Sequence, residues 1–383
     1  MTARSSRSHG CQRWIVRGAI IVLCLVGFGI AFWLYEDLET TPSAPTPPPS
    51  GQTALRSGLI KVFFTTPTLI YPDRRQTRPA SPLLDAVLAD LDDAESSISV
   101  ASFDFDVDQL ATGLIAAHKR GVDVRLVVDR ENLDGPETAS AVGRVQDAGI
   151  PVSFDEREAF MHDKFLVIDK RIVWTGSWNL TYNDTFRNNN NAVRLRSRLA
   201  AETYTAEFDQ MFAGAFGASK ISSAPHPRII LDETPIDIYF APKDGVASHV
   251  LEYIANARTS IRVLAFSFTS SDIADALIDR SRAGVKVRGV FERQNTSGVG
   301  ASFQAIEKAG LDVLEDGNCY ILHHKTIIID NHIVITGSYN FTRSAERSND
   351  ENLIIIDDRD VAQLYVAEFE RLYRQAQSPT RCG

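Results

Sequence analysis

Two stretches of the chain set a histidine two residues before a lysine and seven before an aspartate. They are His162-Asp163-Lys164-Phe165-Leu166-Val167-Ile168-Asp169 and His323-His324-Lys325-Thr326-Ile327-Ile328-Ile329-Asp330. Seven residues past each aspartate comes Gly-Ser-aromatic-Asn, as Gly176-Ser177-Trp178-Asn179 and Gly337-Ser338-Tyr339-Asn340. On a strand, residues two apart share a face, so each imidazole stands beside a fixed ammonium charge. An imidazole can attack an electrophilic centre or carry a proton near neutral pH. Ammonium, hydroxyl and amide groups around it can offset a growing negative charge. Two such sets converging on one phosphate would suit displacement at the phosphorus of a phosphodiester.

The motifs also dictate what positions them. Each lysine opens an apolar run that reads as a buried strand ending at the aspartate. A second apolar run, Arg171-Ile172-Val173-Trp174 or His332-Ile333-Val334-Ile335, follows at once. Asp169-Lys170 and Asp330-Asn331 are then expected as tight hairpin turns that bring Ser177 and Asn179, and their counterparts, back towards the histidines. An odd separation on a strand turns each aspartate away from its histidine, so Asp169 and Asp330 are expected mainly to cap turns.

The duplication extends beyond the motifs. Strand Ile98 to Phe103 aligns with Ile261 to Phe266, helix Leu83 to Ala94 with Val246 to Ala257, and Arg120 to Arg125 with Ala283 to Arg288, all 163 residues apart; at the histidines the offset is 161. The opening strands begin at Ile60 and Ile236, which leaves the first half 13 extra residues around Asp73 to Arg78. Strand and helix alternate, which predicts an α/β fold of two tandem homologous α/β/α sandwich halves with mainly parallel sheets.

With both motifs and both Gly-Ser-x-Asn tails in place, the chain resembles the phospholipase D superfamily of phosphodiesterases over about residues 59 to 376. The resemblance implies a pseudo-dimer with its active site where the halves meet, a phosphohistidine intermediate, and neither metal nor other cofactor. It implies His162, Lys164, Asp169, His323, Lys325 and Asp330 as the catalytic set. Ser177, Asn179, Ser338, Asn340 and Glu351 are implied as substrate-binding. In the family a carboxylate at the position of Glu351 also hydrogen-bonds a catalytic imidazole. Glu351 lies 28 residues past His323, whereas Asn190 lies 28 past His162. His323 is therefore expected to hold the proton and His162 to attack, with Asp184 the alternative carboxylate for His162. A lysine beside each histidine also repels a metal cation. His9, His118, His226, His249 and His332 have no convergent partners, and His324 alternates away from the catalytic face.

Composition sets the surroundings. Of 383 residues, 44% are hydrophobic and 23% charged, as in globular proteins. Residues 1–17 carry Arg4, Arg7, Arg13 and Arg17 without an acid and are expected to be cytoplasmic. Residues 18–35 are uncharged and as a helix would span about 27 Å, which predicts a signal anchor tying the protein to a membrane. The competing reading is a cleaved signal peptide and a secreted body. A Pro-rich linker follows over 36–58. The expected halves are 59–216 and 235–383, joined by a linker over 217–234. Removing the four N-terminal positive charges from the total of −9 leaves −13 on the rest, which disfavours a nucleic-acid partner without excluding one. Cys319 and Cys382 are free to pair on the outside, and no C-x-x-C pattern suggests zinc.

The expected function is that of a monomeric phospholipase D-like phosphodiesterase acting on phospholipid or another phosphodiester. An exported nuclease and a tethered phosphodiester-binding protein without turnover are the alternatives.

Overall fold

The computed structural model describes residues 53–54, 58–65, 80–222, 224–298 and 300–379. Both repeats lie within one compact unit, Pro49–Gly383. The first repeat supplies β1 (Thr53–Ala54), β2 (Ile60–Thr65), β3 (Ser97–Ser102), β4 (Asp123–Asp129), β5 (Val152–Asp155), β6 (Lys164–Ile168), β7 (Ile172–Gly176) and β8 (Asn190–Arg196), laid side by side as β1-β2-β8-β7-β6-β3-β4-β5. The second supplies β9 (Arg228–Leu231), β10 (Thr234–Ala241), β11 (Ser260–Ala265), β12 (Lys286–Phe291), β13 (Asp312–Glu315), β14 (Lys325–Ile329), β15 (Ile333–Gly337) and β16 (Glu351–Asp357), ordered β13-β12-β11-β14-β15-β16-β10-β9.

Two homologous α/β halves are present, as expected, but their sheets are mixed rather than mainly parallel. Only β3-β4-β5 and β11-β12-β13 run parallel. The crossovers there are helical, Asp108–Lys119 and Ser271–Arg282 among them. From each motif onward the neighbours are antiparallel, β6 to β7 and β14 to β15 through tight turns and β7 to β8 and β15 to β16 through longer connections holding the short helices Tyr182–Phe186 and Arg343–Arg347. The expectation failed by extending the strand-helix alternation into the motif hairpin. The hairpin turns themselves are as expected. Asp169 and Lys170 both have φ of 50°, and Asp330 and Asn331 have 54° and 53°, the pair of left-handed residues that matches strand twist.

The motif strands β6 and β14 are buried at all five positions, which explains their unbroken apolar runs. The outer face of each sheet packs on its own helices, in the first half Pro82–Asp92, Asp108–Lys119 and Pro136–Asp147. The inner faces share one core with the two long helices Arg198–Phe212 and Arg359–Gln377, through Tyr204, Phe208, Tyr365 and Phe369. Truncating one such aromatic, Phe369→Ala for example, costs about 3–5 kcal/mol. This shared core holds the two motifs at a fixed separation.

Two expectations change. Residues 217–234 are not a bare linker: they contribute β9 and a buried lysine, Lys220, which pairs with Glu207 and, at 2.5 Å, with Asp350. The single-pass anchored localisation is corrected. Residues 18–35 lie outside the described residues, and among those described no helix is long and apolar enough to cross a membrane. The longest, Arg359–Gln377, pairs a buried stripe with charges such as Arg359, Asp360 and Arg374. The 13-residue insertion also falls outside the described residues, as does Cys382; Cys319 is disulfide-bonded.

Candidate active site

Each histidine sits just ahead of its motif strand and is tied there by the other repeat. His162 N donates to Asp350 O at 2.9 Å, and His323 N donates to Asn189 O at 2.9 Å. A carboxylate secures the preceding peptide in both copies: Asp129 accepts from Met161 N at 2.8 Å and Glu292 from Leu322 N at 2.7 Å. Lys164 and Lys325 follow on the same face, each ammonium donating to the carbonyl of its own histidine at 2.8 and 2.9 Å. A phenylalanine completes each set. Phe103 packs edge-on to His162 and under Lys164, and Phe266 does the same for His323 and Lys325.

The groups behind the imidazoles cross between the halves. His162 Nδ1 lies 2.7 Å from Glu351 Oε2, and Glu351 also accepts from Ser338 Oγ at 2.7 Å and Asn349 Nδ2 at 3.2 Å. His323 Nδ1 lies 2.9 Å from Asn190 Oδ1 and 3.2 Å from Asp184 Oδ2. Glu351 therefore does not stand behind His323, the histidine of its own repeat, and Asp184 does not serve His162. Both expectations are reversed: β16 carries Glu351 across to His162, and the short helix Tyr182–Phe186 carries Asp184 to His323, which removes the absence of a carboxylate as the reason for His162 to attack. With Nδ1 engaged, Nε2 is the nitrogen left for chemistry.

The site is electrostatically prepared for an anion. Burial, with Lys164 and Lys325 nearby, pushes His162 well below the usual imidazole range. Burial and Lys325 bring His323 down to about 4, against the pull of Asp184. Burial likewise lowers Lys164 to about 8, and burial with the Lys164 charge holds Lys325 well below the usual ammonium range. An anion binding beside two ammonium groups lowered by burial would favour their charged forms. Burial raises Glu351 to about 7, although Lys164 and Ser338 oppose it. Asp184 behaves differently. Despite its burial it is held well below the carboxylate range by His323 and by hydrogen bonds from Asn188 and Asn179. Those last two donors, the Asn188 amide at 2.6 Å and the Asn179 N–H at 2.8 Å, act whatever the charge on His323.

The sequence-derived site is thus only partly assembled around the histidines. Lys164 and Lys325 remain in it; the Oδ1 atoms of Asn179 and Asn340 have no hydrogen-bond partner among the described residues. Ser177 and Ser338 are corrected as substrate contacts. Both are wholly buried and spend their hydroxyls on Asn190 and Glu351. Glu351, also wholly buried, is an imidazole partner rather than a substrate ligand. Asp169 and Asp330 are corrected as catalytic residues: they lie at the far end of their strands, about 20 Å from the histidines along the chain. There Asp169 accepts from the backbone of Glu95, Ser96 and Ser97, and Asp330 from Arg258, Thr259 and Ser260. Glycine at 176 and 337 is a packing demand, since a Cβ there would strike the Asn191 or Asn352 carbonyl. Asn190, the exchange of partners, and the carboxylates Asp129 and Glu292 were missed. The 28-residue spacing paired Asn190 with Glu351, but could not show which histidine each reaches. Among the described residues no group of three or more His, Cys, Asp or Glu is arranged to hold a metal ion.

Two repeats, each handing one His-Lys pair to the other's backing groups, define a pseudo-dimeric α/β protein with a composite anion site. The comparisons agree. The family described as cardiolipin synthase, PLD-like domain, matches residues 87–212 and 250–373, one stretch in each half. A phospholipase D of Rickettsia bellii is 35% identical over 153 residues, 38% of this chain and 76% of that protein. A mitochondrial cardiolipin hydrolase of Xenopus laevis is 33% identical over 132 residues, 34% of this chain and 63% of its own length. The crystal structure of a phosphatidylserine synthase from Haemophilus influenzae, 11% identical, superposes with a TM-score of 0.60 over 85% of this chain and 87% of its own, which shows a shared fold. The chain belongs to the phospholipase D superfamily of phosphodiesterases.

Proposed function

We propose that this phosphodiesterase hydrolyses phospholipids, releasing a head-group alcohol through a covalent phosphohistidine. The observation that carries the reading is the pair of buried imidazoles, each fixed at Nδ1 by the opposite repeat, with both lysines acting on both of them. His162, held neutral, attacks phosphorus through Nε2, so a P–N bond forms as the P–O bond to the leaving group breaks. His323, neutral in the empty site, takes up an Nε2 proton as the phosphodiester anion enters and gives it to the departing oxygen, the ionised Asp184 supporting the imidazolium in between. Water then attacks phosphorus, His323 takes a proton from it, and the P–N bond to His162 breaks. Lys164, Lys325, Asn179 and Asn340 offset the charge on the phosphoryl oxygens throughout.

A lipid substrate is supported by the names of the family and of its Rickettsia and Xenopus relatives. The charge of −13 beyond residue 35 also counts against a polyanionic partner. Incubation of the purified protein with mixed phospholipid vesicles and, separately, with single-stranded and duplex DNA and RNA tests this. Released head-group alcohol is the expected result. Nicked polymer would make the protein a nuclease, and binding without product would make it a phosphodiester-binding protein. Turnover is expected to survive EDTA; its loss and recovery on adding a divalent ion would refute the phosphohistidine route.

A further inference from the structure

We propose that Asp184 is the positioning carboxylate of His323, recruited from a different element to replace the one that position 190 lacks. The inference rests on the reading of the two histidines given above. Aligned at the 161-residue offset, Ser177 corresponds to Ser338, Asn190 to Glu351 and Asp184 to Ala345. Asn190 occupies the place of Glu351 atom for atom: its Oδ1 lies 2.9 Å from His323 Nδ1 and accepts from Ser177 Oγ at 3.0 Å, as Glu351 Oε2 meets His162 Nδ1 and Ser338 Oγ. An amide oxygen can fix the tautomer, but it brings no charge to hold an imidazolium. The carboxylate 3.2 Å from the same nitrogen supplies it.

Asp184 is 2% exposed and sits in the short helix Tyr182–Phe186, whose mirror image Arg343–Arg347 presents Ala345 instead. It is a feature of one repeat only. Its orientation is set by the Asn188 amide on Oδ1 and the Asn179 N–H on Oδ2, which leaves Oδ2 aimed at the imidazole. The charged groups acting on His323 are Lys325 from its own strand, and Lys164 and Asp184 from the first repeat. Asp184 is the negative one among these largest contributions. The second repeat meets His162 with a carboxylate in the strand; the first meets His323 with an amide in the strand and a carboxylate from the adjoining helix.

The test uses the full chain as wild type, Asp184→Asn, Asn190→Glu and the double variant, with folding checked by thermal melting. In one arm, the 15N signals of His323, assigned by their loss in His323→Ala, are followed against pH with saturating inorganic phosphate. Asp184→Asn should lower the His323 pKa by about one unit or more, and Asn190→Glu in that background should restore it. In the second arm, Asp184→Asn should cut turnover of a phosphodiester with an alkoxide leaving group by about 10–100-fold, with the same rescue. A p-nitrophenyl phosphodiester, whose leaving group needs no proton, should lose less than about threefold in its burst of nitrophenol. An unchanged His323 pKa, or equal losses on both substrates without rescue, would reduce Asp184 to a brace for the 177–190 loop and overturn the proposal. If the wild type turns over neither substrate while the titration shifts as stated, the functional reading fails and the Asp184 assignment stands.

Discussion

Behind His162 and behind His323 the same backbone carries different chemistry. The residue between each His and Lys points to the protein interior and is clasped by an asparagine of the opposite repeat. Asn352 Nδ2 donates to Asp163 at 2.7 Å, and Asn191 Nδ2 lies 3.0 Å from His324 Nδ1. Beyond Asp163 lies a charge cluster of Lys220, Glu207, Asp350, Arg157 and Asp155. Beyond His324, among the described residues, lie Glu368, at 3.6 Å, and its partner Arg371. The side facing the anion is duplicated residue for residue, down to the lysine hydrogen bonds and the phenylalanines. Duplication has preserved the His, Lys and Phe of each copy and changed the groups behind the imidazoles, Glu351 behind His162 and Asn190 with Asp184 behind His323.

Removing the charge from one backing group should give the largest effect among these contrasts. Glu351→Gln is expected to lower kcat/KM by about 10–100-fold at pH 8. Glu351, raised to about 7, is protonated below that pH, and a protonated carboxyl can donate to His162 Nδ1 and leave the proton on Nε2, the wrong tautomer for attack. Above it, the carboxylate accepts from Nδ1–H and frees Nε2. The wild-type kcat/KM should therefore rise through about pH 7, and the variant should lose that limb. A pH-rate profile unchanged by the substitution would remove Glu351 from the account.

A smaller effect separates the two ends of the motif strands. Asp169→Ala and Asp330→Ala each delete a set of turn hydrogen bonds and should cost about 1–3 kcal/mol in denaturant unfolding. Turnover of the folded protein should stay within about twofold of wild type, since general acid-base losses of 10²-fold or more need contact with the reacting atoms. A 10²-fold loss in a folded variant would return these aspartates to the chemistry.

Asp163 sharpens the contrast most subtly. Burial raises it to about 8, against Lys220, with Glu207 adding to the rise. Its Oδ2 has no hydrogen-bond partner among the described residues. From about pH 4 to 8 the unfolded chain ionises this group while the folded one keeps its proton, so the folded state binds more protons and stability falls as pH rises. Asp163→Asn should match wild type below about pH 4 and gain on it steadily towards pH 8. Urea midpoints across that range check it, and a difference that does not vary with pH would contradict it.

The sequence carried the motifs, the hairpins and the duplicated halves, because these follow from local spacing and periodicity. Even the structural role of Asp169 and Asp330 followed from an odd separation on a strand. What stayed hidden depends on how the repeats dock. Glu351 is 28 residues from His323 in sequence and 189 from His162, yet it bonds the latter, because β16 pairs within its own sheet and starts at the opposite motif. The serines of Gly-Ser-x-Asn read as substrate donors until their hydroxyls were found engaged with Asn190 and Glu351. The mixed sheets were obscured for a related reason, since alternation of strand and helix says nothing of direction once the chain enters tight turns.

Attack is assigned to His162 and proton transfer to His323; because a carboxylate stands near Nδ1 of each imidazole, the backing groups alone do not decide between them. The most direct measurement is to trap the phosphoenzyme from a radiolabelled p-nitrophenyl phosphodiester, using His162→Ala and His323→Ala, and to map the labelled peptide. In His323→Ala, nitrophenolate can still leave without a proton while water lacks its base, so label should accumulate on His162 to about one equivalent. His162→Ala should take up none. Label on His323 in the His162→Ala protein, with none on His162 in the His323→Ala protein, would contradict the account.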